Sequence, residues 1–320
     1  MTNFSASFVG ILSGLAAGLM VLAVLNSGAL SYPLIFLTPI AIYLASMGWG
    51  NKAGIFAAIF GCGLCFLLGS VEIAIAAACL IIGPAVWIGH LTNLGRQNTV
   101  IEGEEAGTEW YPVSNIFLQL SIIIGIISLV FVSMVDFQSE QTVEQLTQMM
   151  RAVALKNPEL DMPSDEDIVK TLALFTKLVP ILSGFIWLFT HATNACIAAT
   201  ITQRSGVLAR AHEDIASSLM LHRAILPVTI GACLGLYYGD GLIAQICGVI
   251  FGVCLASFAL VGLAGAHINL NRNNGAFFIL ALIYASIFIF LMPVIFFIVT
   301  GIVRFFTMGS IGPSINHPKF

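Results

Sequence analysis

Long unbroken runs of apolar residues, interrupted by short stretches of Gly, Pro, Asn or charge, set the pattern of this chain. They mark nine candidate spans: Phe8 to Leu25, Leu30 to Met47, Gly54 to Leu68, Val71 to Leu91, Val113 to Val135, Val179 to Ile201, Ala224 to Tyr238, Leu242 to Ala266 and Ala276 to Phe306. Several reach about 18 residues, the length at which an apolar segment reads as a membrane helix. The alternating segments of about ten residues that build an outer-membrane barrel are missing. The pattern predicts an all-α, polytopic helical membrane protein with about nine transmembrane helices. The third and seventh runs have 15 residues each, short of the roughly 20 needed to cross upright, and each is a candidate partial or re-entrant helix. The ninth carries Pro293 in its middle and predicts a kinked or steeply tilted helix.

The polar stretches orient these spans. Lys and Arg in short loops favour the cytoplasm. If nine spans alternate, Lys52, Arg96, Arg204, Arg210, Arg223 and Arg272 fall on one side, which places the N-terminus in the cytoplasm. Arg304 and Lys319 then fall outside. The connection from Asp136 to Leu178 faces outward, where a long loop translocates largely regardless of charge. Within it, Val143, Leu146, Met150 and Val153 recur at helical spacing ahead of Asn157-Pro158, predicting an amphipathic helix. Pro163-Ser164-Asp165-Glu166-Asp167 reads as a helix start with acids in the first turn, and that helix runs on into the sixth span. The organisation is therefore helices 1 to 5 over 1–135, an extracytoplasmic acidic helical insertion over 136–178, and helices 6 to 9 over 179–320, forming one membrane domain.

Composition agrees. Of 320 residues, 58% are hydrophobic and 9% charged, against about 25% charged in soluble domains, and the mean hydropathy is +0.99. Lys52 and Glu72 are the only Lys, Arg, Asp or Glu in the first 95 residues. A net charge of -4 without a basic cluster argues against nucleic acid as a partner. Seven cysteines all fall in apolar runs, where Cys behaves as a small hydrophobe. The N-terminus lacks a basic n-region, so the first run is expected to be retained as a helix.

Candidate chemistry is sparse. Gly10, Gly14 and Gly18 share one face of the first helix, a small-xxx-small pattern suited to close helix packing inside the chain or to docking a second membrane subunit. Gly231 with Gly235, and Gly248 with Gly252, repeat it. His191 and Asn194, close to Trp187, lie one turn apart in the sixth span. Polar side chains at that depth mark a ligand site by default, and the i, i+3 spacing lets both face a cavity. The competing reading is interhelical hydrogen bonding with Asn115, Gln119 or Gln245. Glu72 suits a helix N-terminal charge, and Asp240 a Gly-Asp-Gly turn. Cys62-Gly63-Leu64-Cys65 matches a redox or metal spacing, but no second pair or His accompanies it. No Walker A, H-E-x-x-H or G-x-S-x-G sequence occurs, so no enzyme activity, cofactor or metal is expected. The hairpins at Gly69-Ser70-Val71-Glu72 and Gly239-Asp240-Gly241 give a faint internal echo.

Several local patterns together resemble the alphaproteobacterial branch of the DUF2232 family of YybS-type bacterial membrane proteins. They are Pro39-Ile40-Ala41 through Gly48-Trp49-Gly50, Gly83-Pro84 with Trp87, Gly89-His90-Leu91 and Arg96, Glu109-Trp110-Tyr111-Pro112, Asn194 with Gln203-Arg204, and Gly262-Leu263-Ala264 with His267. That family is similar to the S components of energy-coupling-factor transporters. The resemblance implies a bacterial inner-membrane helical bundle that binds a small solute and docks a coupling subunit through small residues of its first helix. Nine spans exceed the six of an S component, and the acidic insertion has no counterpart there. Two expectations follow: a solute-binding or transport subunit using Trp187, His191 and Asn194, or a structural or regulatory membrane partner without a ligand.

Overall fold

A computed structural model describes residues 3–26, 31–97, 108–134, 144–145, 147–149, 151, 155, 165–211, 213–270, 275–290 and 292–307. The described residues are helical almost throughout. Its elements are α1 (Asn3–Ala23), α2 (Ser31–Trp49), α3 (Asn51–Leu68), α4 (Val71–Ala77), a π-helical turn (Ala78–Ile82), α5 (Gly83–Thr92), the strands β1 (Gly95–Gln97) and β2 (Thr108–Trp110), α6 (Val113–Met134), α7 (Asp165–Arg204), α8 (Ile215–Ser218), α9 (Ile225–Tyr238), α10 (Gly241–Leu270), α11 (Ala276–Phe290) and α12 (Val294–Thr307). The fold is all-α apart from a short antiparallel hairpin of these strands, with Gly95 opposite Trp110, in a stretch too polar to be a span.

Six helical stretches among the described residues are long and apolar enough to cross a membrane: Ser5–Ala23, Asn51–Leu68, Val71–Thr92, Val113–Met134, Leu178–Arg204 and Gly241–Leu270. Shorter apolar helices occupy Pro33–Trp49, Ile225–Tyr238, Phe278–Ile287 and Val294–Thr307. Large apolar side chains such as Phe8, Ile59, Leu67, Ile126 and Phe278 stand exposed, as a lipid-facing surface requires. The third run, 15 residues in the sequence, begins earlier and reaches 18 residues by including Asn51, Lys52 and Ala53. Around the amphipathic helix expected over Val143 to Val153, residues 144–145, 147–149 and 151 are helical, while Val143, Leu146, Met150, Val153 and the Pro163-Ser164 start lie outside the described residues; α7 runs unbroken for 40 residues from Asp165 to Arg204, with Pro180 inside it.

By their internal contacts the helices divide into two compact units, 1–124 with 187–223 and 257–320, and 125–186 with 224–256. In the first unit α1 packs most extensively on α3. A Cβ on Gly10 or Gly14 would strike the backbone carbonyls of Ala53 or Ala57, and one on Gly18 would lie 3.0 Å from the Gly61 carbonyl oxygen. The glycine face of α1 is therefore filled by α3 of the same chain, and the face left open carries Phe8, Leu12 and Leu19. Gly50, with φ of 81°, makes the tight turn from α2 to α3. Asn93, just past α5, donates to the carbonyls of Ser46 (2.9 Å) and Met47 (3.1 Å), tying off the end of α2.

The ninth run is not one kinked helix. It folds as α11 and α12, of 15 and 14 residues, separated at Met292-Pro293. Each is only about 22 Å long at 1.5 Å per residue. In its C-terminal half α10 meets both: His267 Nε2 lies 2.9 Å from Tyr284 Oη of α11, and Arg304 of α12 donates to Val261 O at 3.2 Å. Arg304 also donates to Ala216 O at 3.0 Å, in the segment that follows α7. α12 therefore crosses the C-terminal half of α10, where a Cβ on Gly262 would strike the Phe297 carbonyl and one on Gly301 the Phe258 carbonyl. In the second unit α7 and α10 pack closely, since a Cβ on Gly252 would strike the Ile181 backbone and one on Gly184 the Val249 carbonyl. Gly235 faces Cys247, while Gly231 faces open space.

Candidate functional site

The site begins with a proline. Pro84 has no amide hydrogen, and its ring crowds the carbonyl four residues back, that of Leu80. The helix yields there by a π turn, in which Gly83 N–H reaches back five residues to Ala78 O. Leu80 O is left without its regular partner. His191 of α7 supplies one, with Nε2 2.8 Å from Leu80 O.

That contact fixes the proton. A carbonyl only accepts, so Nε2 carries the hydrogen and Nδ1 of the neutral ring accepts. Tyr43 Oη of α2 lies 3.0 Å from Nδ1 and is the donor. The relay therefore runs from Tyr43 O–H through the imidazole to the Leu80 carbonyl, joining α2, α7 and the π turn. His191 and Tyr43 are both fully buried at 0% exposure, which favours the uncharged ring.

One turn further, Asn194 is 3% exposed and donates both amide hydrogens, to Phe36 O and to Thr190 O, each at 2.8 Å. Phe36 lies in the turn of α2 just before Pro39. Because both Asn194 donors point at carbonyls, the amide orientation is set. Its Oδ1 has no hydrogen-bond partner among the described residues. Trp187 is half-buried, with its ring centroid 6.4 Å from Phe36 and 6.4 Å from His191. The three residues singled out in the sixth span thus converge on the carbonyl-rich turns of α2 and α4–α5.

Two of the three side chains expected as their partners, Gln119 and Asn115, are placed otherwise. Gln119 accepts from Trp87 Nε1 at 3.0 Å and donates to Tyr111 Oη at 2.7 Å. Asn115 is exposed. Tyr43 gives no signal in the sequence, since a tyrosine in an apolar run looks like any other large core residue. Arg210 shows in the sequence only as a loop charge, yet it is 8% exposed, donates to Tyr111 O at 2.8 Å and pairs with Glu213. Partial burial pushes the Glu213 carboxyl up, but hydrogen bonds from Arg210 and Ser218 and the Arg210 charge outweigh it and hold it below the usual glutamate value.

The remaining candidates have structural places. Ser70 caps α4 by accepting from Ile73 N–H at 3.3 Å, with Glu72 in the first turn. Asp240 lies beside Gly241, whose φ is 54°. Cys65 Sγ is buried 3.9 Å from Gly18 O, and all seven cysteines are free thiols. No group of three His, Cys, Asp or Glu suited to a metal ion occurs among the described residues. No protein-family model, curated protein or solved structure matches the chain.

Proposed function

We propose that the chain is a multi-pass bacterial inner-membrane protein that binds a small polar solute beside α7, in the manner of an S-component-like subunit. One observation carries the reading: Asn194 Oδ1 is buried with no partner among the described residues. An unpaired buried acceptor costs about 1–3 kcal/mol, and a solute hydroxyl or amide hydrogen relieves it. Trp187 offers the adjoining ring face. His191, with both nitrogens engaged, holds the wall in place rather than meeting the solute.

In this reading the membrane topology has eight crossings and a re-entrant pair, α11 and α12, in place of nine crossings. Lys52, Arg96, Arg204, Arg210, Arg223 and Arg304 then share one side, and the positive-inside tendency makes it the cytoplasm, with the N-terminus there. A coupling subunit, if it docks on α1, meets the Phe8, Leu12 and Leu19 face. The resemblance to the DUF2232 family supports the solute-binding class.

A thermal-shift screen of the purified full chain against vitamins and polar metabolites tests this. Stabilisation by a compound in wild type, lost in Asn194→Ala and weakened in Trp187→Leu, supports the reading; no stabilisation across the panel contradicts it.

A further inference from the structure

A second feature of the first unit points to lipid. Asn51, Ile55, Ala58 and Cys62 lie on one face of α3, and Ala78, Ile82, Val86, Trp87 and His90 face them from the π turn and α5, bounding an open cavity of about 400 Å³. From Asn51 to Cys62 it runs about 16 Å at helical rise, roughly half the hydrocarbon thickness of a bilayer. Its deep end is apolar, whereas Asn51 and His90 stand at the end where α3 begins and α5 closes. Exposed Lys52 is there too, next to the uncapped first amides of α3. Arg96 follows in β1, facing Glu109 across the hairpin. The only acid between Asn51 and Gln97, Glu72, sits at the opposite end of the α3–α4 pair.

We propose that this groove holds one acyl chain of an anionic glycerophospholipid, with its phosphate at Asn51, Lys52 and His90. The proposal rests on the membrane reading of the chain and not on the solute site at Asn194. An acyl chain fits an apolar groove one leaflet deep, and an anionic headgroup complements the Lys52 end. The π turn helps to make the groove, because Gly83 presents no side chain to its wall.

Native mass spectrometry of the full chain in nonionic detergent, titrated with phosphatidylglycerol or phosphatidylcholine of identical chains, tests this. Wild type is expected to bind phosphatidylglycerol about five-fold more tightly. Lys52→Gln should equalise the two lipids, and Ala58→Phe should weaken both. Equal binding of the two lipids by wild type, or unchanged binding by Ala58→Phe, overturns the proposal. A phosphatidylglycerol with a terminal diazirine on its acyl chain gives a readout that needs no variant. Crosslinks at residues 55–62 and 78–86 support the groove, and crosslinks confined elsewhere overturn it. Failure of the solute screen leaves these outcomes unchanged.

Discussion

His191 donates from Nε2 to the carbonyl oxygen of Leu80 across 2.8 Å, taking the place of the amide hydrogen that Pro84 lacks. A defect within one helix thus becomes a bond between helices, and the second nitrogen carries the link on to Tyr43. Interhelical hydrogen bonds in membranes average about 0.6 kcal/mol and reach about 1.7 kcal/mol. Their value here lies as much in fixing one arrangement of α2, α5 and α7 as in stability.

His191→Leu is expected to destabilise the chain by about 1–3 kcal/mol, because it strands both Tyr43 O–H and Leu80 O. Tyr43→Phe, which strands only Nδ1, should cost less. Pro84→Ala restores a backbone donor for Leu80, so His191→Leu should do less damage in that background. Thermal unfolding in detergent of the four members of this cycle checks the coupling; additive effects would mean that Pro84 and His191 do not share Leu80.

Gly14→Ala is expected to destabilise by about 1–3 kcal/mol, since its Cβ would strike the Ala57 backbone. Gly63, on α3 with nothing within 4 Å of a Cβ, is the control: Gly63→Ala should be neutral or slightly stabilising through helix propensity. Melting temperatures of the two variants check this. Equal effects would place Gly14 away from α3.

Reporter fusions after Gly206 and Thr307 should report one compartment, and fusions after Gly69 and Asp240 the other. Thr307 on the Asp240 side would make α11 and α12 a single crossing.

The clasp between Arg210 and Glu213 predicts an acid limb. A carboxyl held below its ordinary value of 4.5 adds stability above that pH and loses it as pH falls through the lower folded value. Glu213→Gln should therefore lower the melting temperature at neutral pH, and the gap from wild type should close on acidification. A gap independent of pH would contradict the assigned charge.

Much of this architecture was legible in the sequence because lipid demands apolar runs of fixed length: most of the expected runs appear as helices within a few residues of their expected ends, and six helices among the described residues are long and apolar enough to cross a membrane. Trp187, His191 and Asn194 were legible as a group because polar side chains are rare at that depth. Their partners were not: His191 and Asn194 donate to the backbone carbonyls of Leu80 and Phe36, and an inventory of side chains cannot reveal an acceptor on the backbone. Pro84 and Pro39 were the available signals, since a proline in a helix frees or exposes carbonyls in the preceding turn. The break at Met292-Pro293 was equally ambiguous, because proline can kink a helix or end it.

The solute site is tested most directly by native mass spectrometry of the protein purified from its membrane in mild detergent, comparing wild type with Asn194→Ala. Wild type should carry a small-molecule adduct, distinct in mass from any phospholipid, that Asn194→Ala lacks while keeping its fold. No such adduct in wild type after incubation with cell metabolites, or the same adduct at equal occupancy in Asn194→Ala, would contradict a ligand at Asn194 Oδ1.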